Sequence, residues 1–102
     1  MRTVTRKRIE VLIDAPLVPL LAEAAEASGV TGYTVLPTLG GKGRSGIWRE
    51  DQLTGAANKV MFVTIATEAK ANALVDALTP LLDQYGIVLA IGDVQVVRGG
   101  RF

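Results

Sequence analysis

From Lys7 to Ile13 apolar and polar positions alternate, with Ile9, Val11 and Ile13 on one face and Arg8, Glu10 and Leu12 on the other, a pattern that predicts a strand with one well-buried face. Asp14 can then cap a helix: Leu17, Leu20, Leu21, Ala24 and Ser28 recur at helical spacing, and Gly29 stands where a left-handed C-terminal residue is wanted. Pro16 and Pro19 lack an amide donor and fit only a first turn, so the helix starts between Ala15 and Pro19. Tyr33 to Thr38 is β-branched and aromatic and reads as a second strand. After it, glycines break the pattern, and no apolar periodicity returns until about Ala57. Leu39 to Gly55 therefore reads as a long loop without regular structure, and loops above about 12 to 15 residues in compact domains are usually functional or disordered. Lys59 to Ala66 is a third strand. Thr67 caps a second helix whose apolar positions, among them Ala71, Leu74, Leu78 and Leu82, run on through Pro80, with a kink or a restart expected at Thr79. Ile87 to Ile91 and Val94 to Val97 form a closing strand, interrupted by a bulge or turn at Gly92.

The order β-α-β-β-α-β, joined by right-handed crossovers, predicts an α+β fold of the ferredoxin-like kind: a four-stranded antiparallel sheet with two helices on one face, as a single domain over residues 1–102. Two helices cover one face only. Yet Val60 and Phe62 point opposite to Met61, Val63 and Ile65, and Ile87 to Ile91 is apolar throughout, so both faces of the sheet read as buried. The second face then packs against copies of itself, because a monomer seldom exposes a contiguous apolar patch of that size. A homo-oligomer follows from the strands; its symmetry does not.

Composition narrows the chemistry. The chain has 102 residues, 49% hydrophobic, with 11 basic and 10 acidic side chains and a net charge of +1, so there is no long-range field to gather nucleic acid or an acidic membrane. Cys and His are both absent, which removes thiol nucleophiles, disulfides, imidazole bases and the usual transition-metal ligands. The apolar runs are much shorter than the ~20 residues a membrane helix needs, and Met1 to Arg8 is not followed by a secretory signal, so a cytoplasmic protein without metal is expected.

Gly40-Gly41-Lys42-Gly43 offers backbone amides unshielded by side chains beside a fixed cation, with Arg44 and Arg49 nearby, which suits phosphate or another small anion. The spacing is not that of a P-loop, and a flexible, solvated loop with scattered charges is the competing reading. Arg98 and Arg101 stand between an anion site and a solubilising tail. Trp48 is either a partner-contact anchor, with Arg44 and Arg49 beside it, or folds back onto the body. No acid pair, nucleophile with its base, or metal cluster assembles: Glu50 and Asp51 lie in the loop, and Glu23, Glu26, Asp76 and Asp83 on helix faces. The element order is also that of an RNA-recognition domain, but the third strand carries one Phe and no Gly, against that module's aromatic motif.

The run Gly32-Tyr33-Thr34-Val35-Leu36-Pro37-Thr38-Leu39-Gly40-Gly41-Lys42-Gly43, set after a strand and a helix and before a long loop, resembles the PII superfamily. It is most similar to the PII-like proteins of bicarbonate transporters and carboxysome gene clusters. The resemblance implies a homotrimer with nucleotide clefts between subunits and a mobile T-loop, here about residues 39–55. By position it implies a nucleotide site of Thr34, Gly40, Gly41, Lys42, Gly86, Ile87, Arg98 and Arg101, with Lys42 and Arg98 as the place for bicarbonate. The chain departs from the nitrogen regulators in having Gln84-Tyr85-Gly86-Ile87 where they have Gly-Asp-Gly-Lys, so a phosphate-binding lysine is missing and ADP or AMP is favoured over ATP. It also lacks their T-loop glutamine and their uridylylated tyrosine, which disfavours nitrogen sensing. The expectation is a non-enzymatic regulator that signals inorganic-carbon or energy status through loop ordering, with a bicarbonate transporter or a carboxysome-related protein as partner. A slow ATP/ADP phosphohydrolase using the same cleft and a ligand-free structural module are the alternatives.

Overall fold

The computed structural model describes residues 2–44, 46–49 and 58–97. In chain order it runs β1 (Val4–Asp14), a 3-10 turn (Ala15–Leu17), α1 (Val18–Ala27), β2 (Thr34–Pro37), β3 (Gly40–Gly43), β4 (Gly46–Arg49), β5 (Lys59–Ala66), α2 (Glu68–Tyr85) and β6 (Val88–Val96). Four strands form an antiparallel sheet in the order β2-β5-β1-β6, and β3 pairs with β4 in a separate hairpin. The ferredoxin-like arrangement expected from the element order is the one observed.

Register explains which residues fill the core. Val11 lies opposite Phe62 and Leu89, and Ile9 opposite Thr64 and Ile91, so the odd positions of β1 and the even positions of β5 share the helix-covered face. Ile9, Val11, Ile13 and Phe62 are fully or almost fully buried there against Leu21 and Ala25 of α1 and Ala71, Leu74 and Leu78 of α2. Thr64 is the one buried polar side chain among the described residues, and its hydroxyl donates to the Gly32 carbonyl at 2.5 Å.

Local chemistry fixes the helix ends. Pro16 sits in the 3-10 turn and Pro19 in the first turn of α1, where no intrahelical amide is needed. Gly29 (φ 82) follows the end of α1, and Ser28 donates from Oγ to the Ala24 carbonyl at 2.8 Å. Thr67 accepts the Lys70 amide at the start of α2, while Gly86 (φ 62) closes its end.

Two expectations need correction, and of the kink or restart expected at Thr79 the restart is absent. α2 does not restart at Thr79: it is one helix through Pro80, which is exposed, so water can serve the carbonyl left without a donor, while the Thr79 hydroxyl donates to the Val75 carbonyl at 2.8 Å. β6 is not interrupted at Gly92, which pairs with Arg8 inside a continuous ladder whose register shows no bulge. The segment after β2 is not without regular structure, because β3 and β4 form a hairpin. A strand of Gly-Gly-Lys-Gly has almost no side chains to alternate, so its periodicity was invisible.

The face of the sheet away from the helices carries Leu12, Leu36, Met61, Val63, Ile65 and Val88, with the Arg8–Glu10 pair (2.8 Å) among them. In one chain this face is uncovered: Leu36 is 45% and Val88 62% exposed.

Candidate functional site

The base of the long segment is built from glycine and one indole. Gly41 lies opposite Trp48, and a β-carbon at Gly41 would fall within 2.6 Å of the indole Cζ2 and closer still to Cη2. Gly40 has φ 153, and a β-carbon there would be 2.6 Å from the Trp48 carbonyl oxygen. Gly40 therefore needs glycine, because its φ and the opposite backbone both exclude a side chain, whereas Gly41 needs it only while the indole is seated. Trp48 is half-buried; its Nε1–H donates to Thr38 Oγ1 at 3.0 Å, and the Thr38 hydroxyl donates to the Lys59 carbonyl at 2.6 Å. The Lys59 ammonium lies 5.7 Å from the ring centroid and 2.9 Å from Asp14 Oδ1. The ring is turned back onto its own hairpin and the exit of β2.

Gly40 pairs with Arg49 and Lys42 with Ile47, so Lys42, Ile47 and Arg49 share the hairpin face away from the indole. Ile47 is 63% exposed, and among the described residues no carboxylate lies within ion-pair distance of Lys42, Arg44 or Arg49. Only alternate residues of an antiparallel pair exchange amide bonds across it. Some amides of Gly40 to Gly43 are thus engaged in the ladder, and the remainder point outward, open to an anion.

Thr34 opens β2 opposite Val63 and, like Val63, points to the uncovered face. Beside it lies a cavity of about 410 Å³ lined by Arg8, Gly32, Leu36, Val63 and Ile65 as well as Thr34. Tyr33 and Thr64 also line it, so its mostly apolar walls carry the Arg8, Tyr33 and Thr34 side chains as polar groups, the Thr64 hydroxyl being bonded to Gly32. The approach to β2 is held by the Thr64 bond to Gly32 and by Tyr33 stacked on Phe62, with centroids 4.7 Å apart. Arg8, Gly32, Val63 and Ile65 were not among the residues expected at the site. The signal was the alternation of β5, which already put Val63 and Ile65 on one face.

Gly86 and Ile87 lie elsewhere. Ile87 is a buried core side chain whose amide donates to the Leu82 carbonyl at 3.1 Å. A row of partners, Leu36, Met61, Leu12 and Val88, crosses the whole sheet. The turn at Gly86 is therefore at the same end of the sheet as the hairpin but at the opposite edge, on the order of 14 Å away over three strand spacings. The structure brings Thr34, Gly40, Gly41 and Lys42 to one edge and Gly86 and Ile87 to the other. Arg98, Arg101 and residues 50–55 of the expected T-loop lie outside the described residues. Among the described residues no three potential ligands group to hold a metal ion, and no helix is long and apolar enough to cross a membrane.

A four-stranded ferredoxin-like sheet with a hairpin projecting from the β2–β5 connection defines the class of fold. The family model for nitrogen regulatory protein P-II matches residues 6–101, and the chain belongs to that family. Among solved structures it is similar to CPII, a nitrogen regulatory PII-like protein from Thiomonas intermedia K12 bound to ADP, AMP and bicarbonate, with TM-score 0.90 and 22% identity over 99% of this chain and 96% of that one. It is also similar to a putative PII-like signaling protein from Thermus thermophilus, with TM-score 0.85 and 23% identity over 100% of this chain and 99% of that one. The B. subtilis GlnK–ATP complex is more distant, with TM-score 0.62 and 9% identity over 92% of this chain and 85% of that one. No curated protein matches the sequence.

Proposed function

We propose that this chain is a cytoplasmic, non-enzymatic PII-type regulator that binds ADP or AMP between the subunits of a homotrimer, with bicarbonate as a second anion, and signals through the segment that carries the β3–β4 hairpin. One observation carries the reading: the Thr34 cavity opens on the bare apolar face, the face that assembly would cover, at the foot of the hairpin that bears Gly40 to Lys42. A purine suits apolar walls with a hydroxyl for its ring edge, and its phosphates suit free amides and an unpaired lysine. Because Gly86 stands at the far edge of the same sheet, a neighbouring copy completes the cleft. The solved CPII complexes with ADP, AMP and bicarbonate support this choice of ligand. Inorganic-carbon or energy status is then the signal, and a bicarbonate transporter or a carboxysome-related protein the partner.

A ligand that binds only the native state raises its melting temperature by mass action. ADP and AMP are expected to raise it more than ATP, and Lys42→Ala to weaken ADP binding roughly tenfold, the equivalent of one charge-assisted hydrogen bond. A melting screen with each nucleotide, with and without bicarbonate, followed by calorimetry of the variant, tests this. No shift with any nucleotide would overturn the reading.

A further inference from the structure

The bare face of the sheet carries an ion pair in the middle of its apolar residues. Arg8 and Glu10 stand on β1, an inner strand, with Ile65 and Val63 beside them on β5 and Gly92 and Ala90 beside them on β6. Arg8 Nε donates to Glu10 Oε1 at 2.8 Å, and the two side chains are 43% and 39% exposed. That bond uses one of five guanidinium donors and one of two carboxylate oxygens. Among the described residues neither group has another hydrogen-bond or ion-pair partner. Arg6, opposite Val94 on the same face, donates from Nη1 to the Thr5 carbonyl at 3.0 Å.

Beside the pair the face is hollow. Gly92 and Ala90 put almost no bulk above β6, and with Arg8, Glu10 and Val94 they line a cavity of about 280 Å³. Nothing lies within 4 Å of the place a β-carbon on Gly92 would take, so there is room for a side chain that the sequence withholds. Glycine inside a strand weakens it, and it often marks a place where another chain comes close.

We infer that the hollow over Gly92 and Ala90 receives the Arg8 side chain of a neighbouring copy, and that this guanidinium bonds the free oxygen of Glu10 there, closing a ring of charges round the trimer axis. This rests on the proposed homotrimer and names the contact that selects its members. Covering the face strips water from a guanidinium and a carboxylate that are only partly bonded within their own chain, which is costly unless the covering surface supplies the missing partners. An apolar surface would leave both charges stranded. The chain itself holds the complement, with donors to spare on Arg8 and an acceptor to spare on Glu10. Around a rotation axis the same residues of every copy meet, each facing those of the next, so one kind of chain satisfies them all. With one acid for each base the ring is neutral, and it sets register and choice of partner more than it adds stability.

Two sets of variants test the contact, each read by size-exclusion chromatography with light scattering over a dilution series, with circular dichroism as the check on folding. Gly92→Val adds a strand-favouring side chain in open space, so the single chain should fold as before. Its trimers should dissociate at concentrations roughly tenfold higher or more, the least expected of overfilling a packed contact. Arg8→Glu and Glu10→Arg each bring like charges together and should be monomeric alone. Mixed in equal amounts they should form trimers containing both chains, because the complementary charges now lie on different copies; a pairing confined within each chain predicts no gain on mixing. If native protein is a trimer and Gly92→Val dissociates as it does, or either charge variant trimerises alone as native protein does, or the mixed variants stay apart, the ring is overturned and the homotrimer stands. Should Gly92→Val fail to fold, the mixing experiment decides. If native protein forms no trimer, both fall.

Discussion

Gly86 adopts φ 62 at the end of α2, where its amide donates to the Leu82 carbonyl and closes the helix. An L-side chain there costs about 1 to 2 kcal/mol. Nothing lies within 4 Å of the place a methyl would take, so conformation alone sets the penalty. Gly86→Ala is expected to lose about 1 kcal/mol of unfolding free energy in urea titration, and an unchanged midpoint would mean the turn has another route. Gly41 presents the opposite case, a crowded glycine with ordinary backbone. Gly41→Ala should expel the indole and shift Trp48 emission to the red at little cost in global stability. The Lys7 ammonium, hydrogen-bonded at 2.5 Å to Asp93 across the β1–β6 pair, has its pKa raised above the usual lysine value by that bond. The contribution is present below the ordinary lysine pKa and fades as pH rises through the raised one. Any stability difference between native protein and Asp93→Asn should therefore shrink at strongly alkaline pH.

At the scale of elements, periodicity was a good guide wherever side chains alternate. β5 begins and ends at the residues expected, and β1 shows the predicted faces, because Ile9, Val11 and Ile13 must all meet the helices. The sequence reading failed where a side-chain pattern was missing or a local rule was outweighed. β3 is nearly all glycine, and its partner became visible only through pairing. Pro80 should break a helix in isolation, yet Leu74 and Leu78 on one side and Leu82 on the other keep α2 seated on the core and hold the two halves together. Pro80→Ala restores an amide to the Asp76 carbonyl and should raise the melting temperature; an unchanged or lower value would show that the helix has adapted fully to proline.

For the whole molecule, the decisive feature is a sheet with one face covered and one face bare. Val88 is 62% exposed on that face in a single chain, so a charged residue there should disturb the isolated fold little. Val88→Glu is expected to convert an assembled native protein into monomers by light scattering, and to abolish nucleotide binding if the cleft forms between copies. A native protein that is itself monomeric would overturn the shared site.

The candidate site was legible in part. Thr34 and Gly40 to Lys42 were marked by motif, and the structure gathers them at one edge; the cavity wall of Arg8, Val63 and Ile65 carried no motif. Sequence alone determined the order of the four sheet strands and two helices, the buried face of each central strand and the glycines at the helix ends, since these depend on neighbours within a few residues. Tertiary structure decided that Trp48 would lie on Gly41, that α2 would pass Pro80 without a restart, and that the Gly86 turn would stand an entire sheet away from the hairpin. Those outcomes depend on which distant segments meet, and no local pattern encodes a meeting between residues brought together only by the folded sheet.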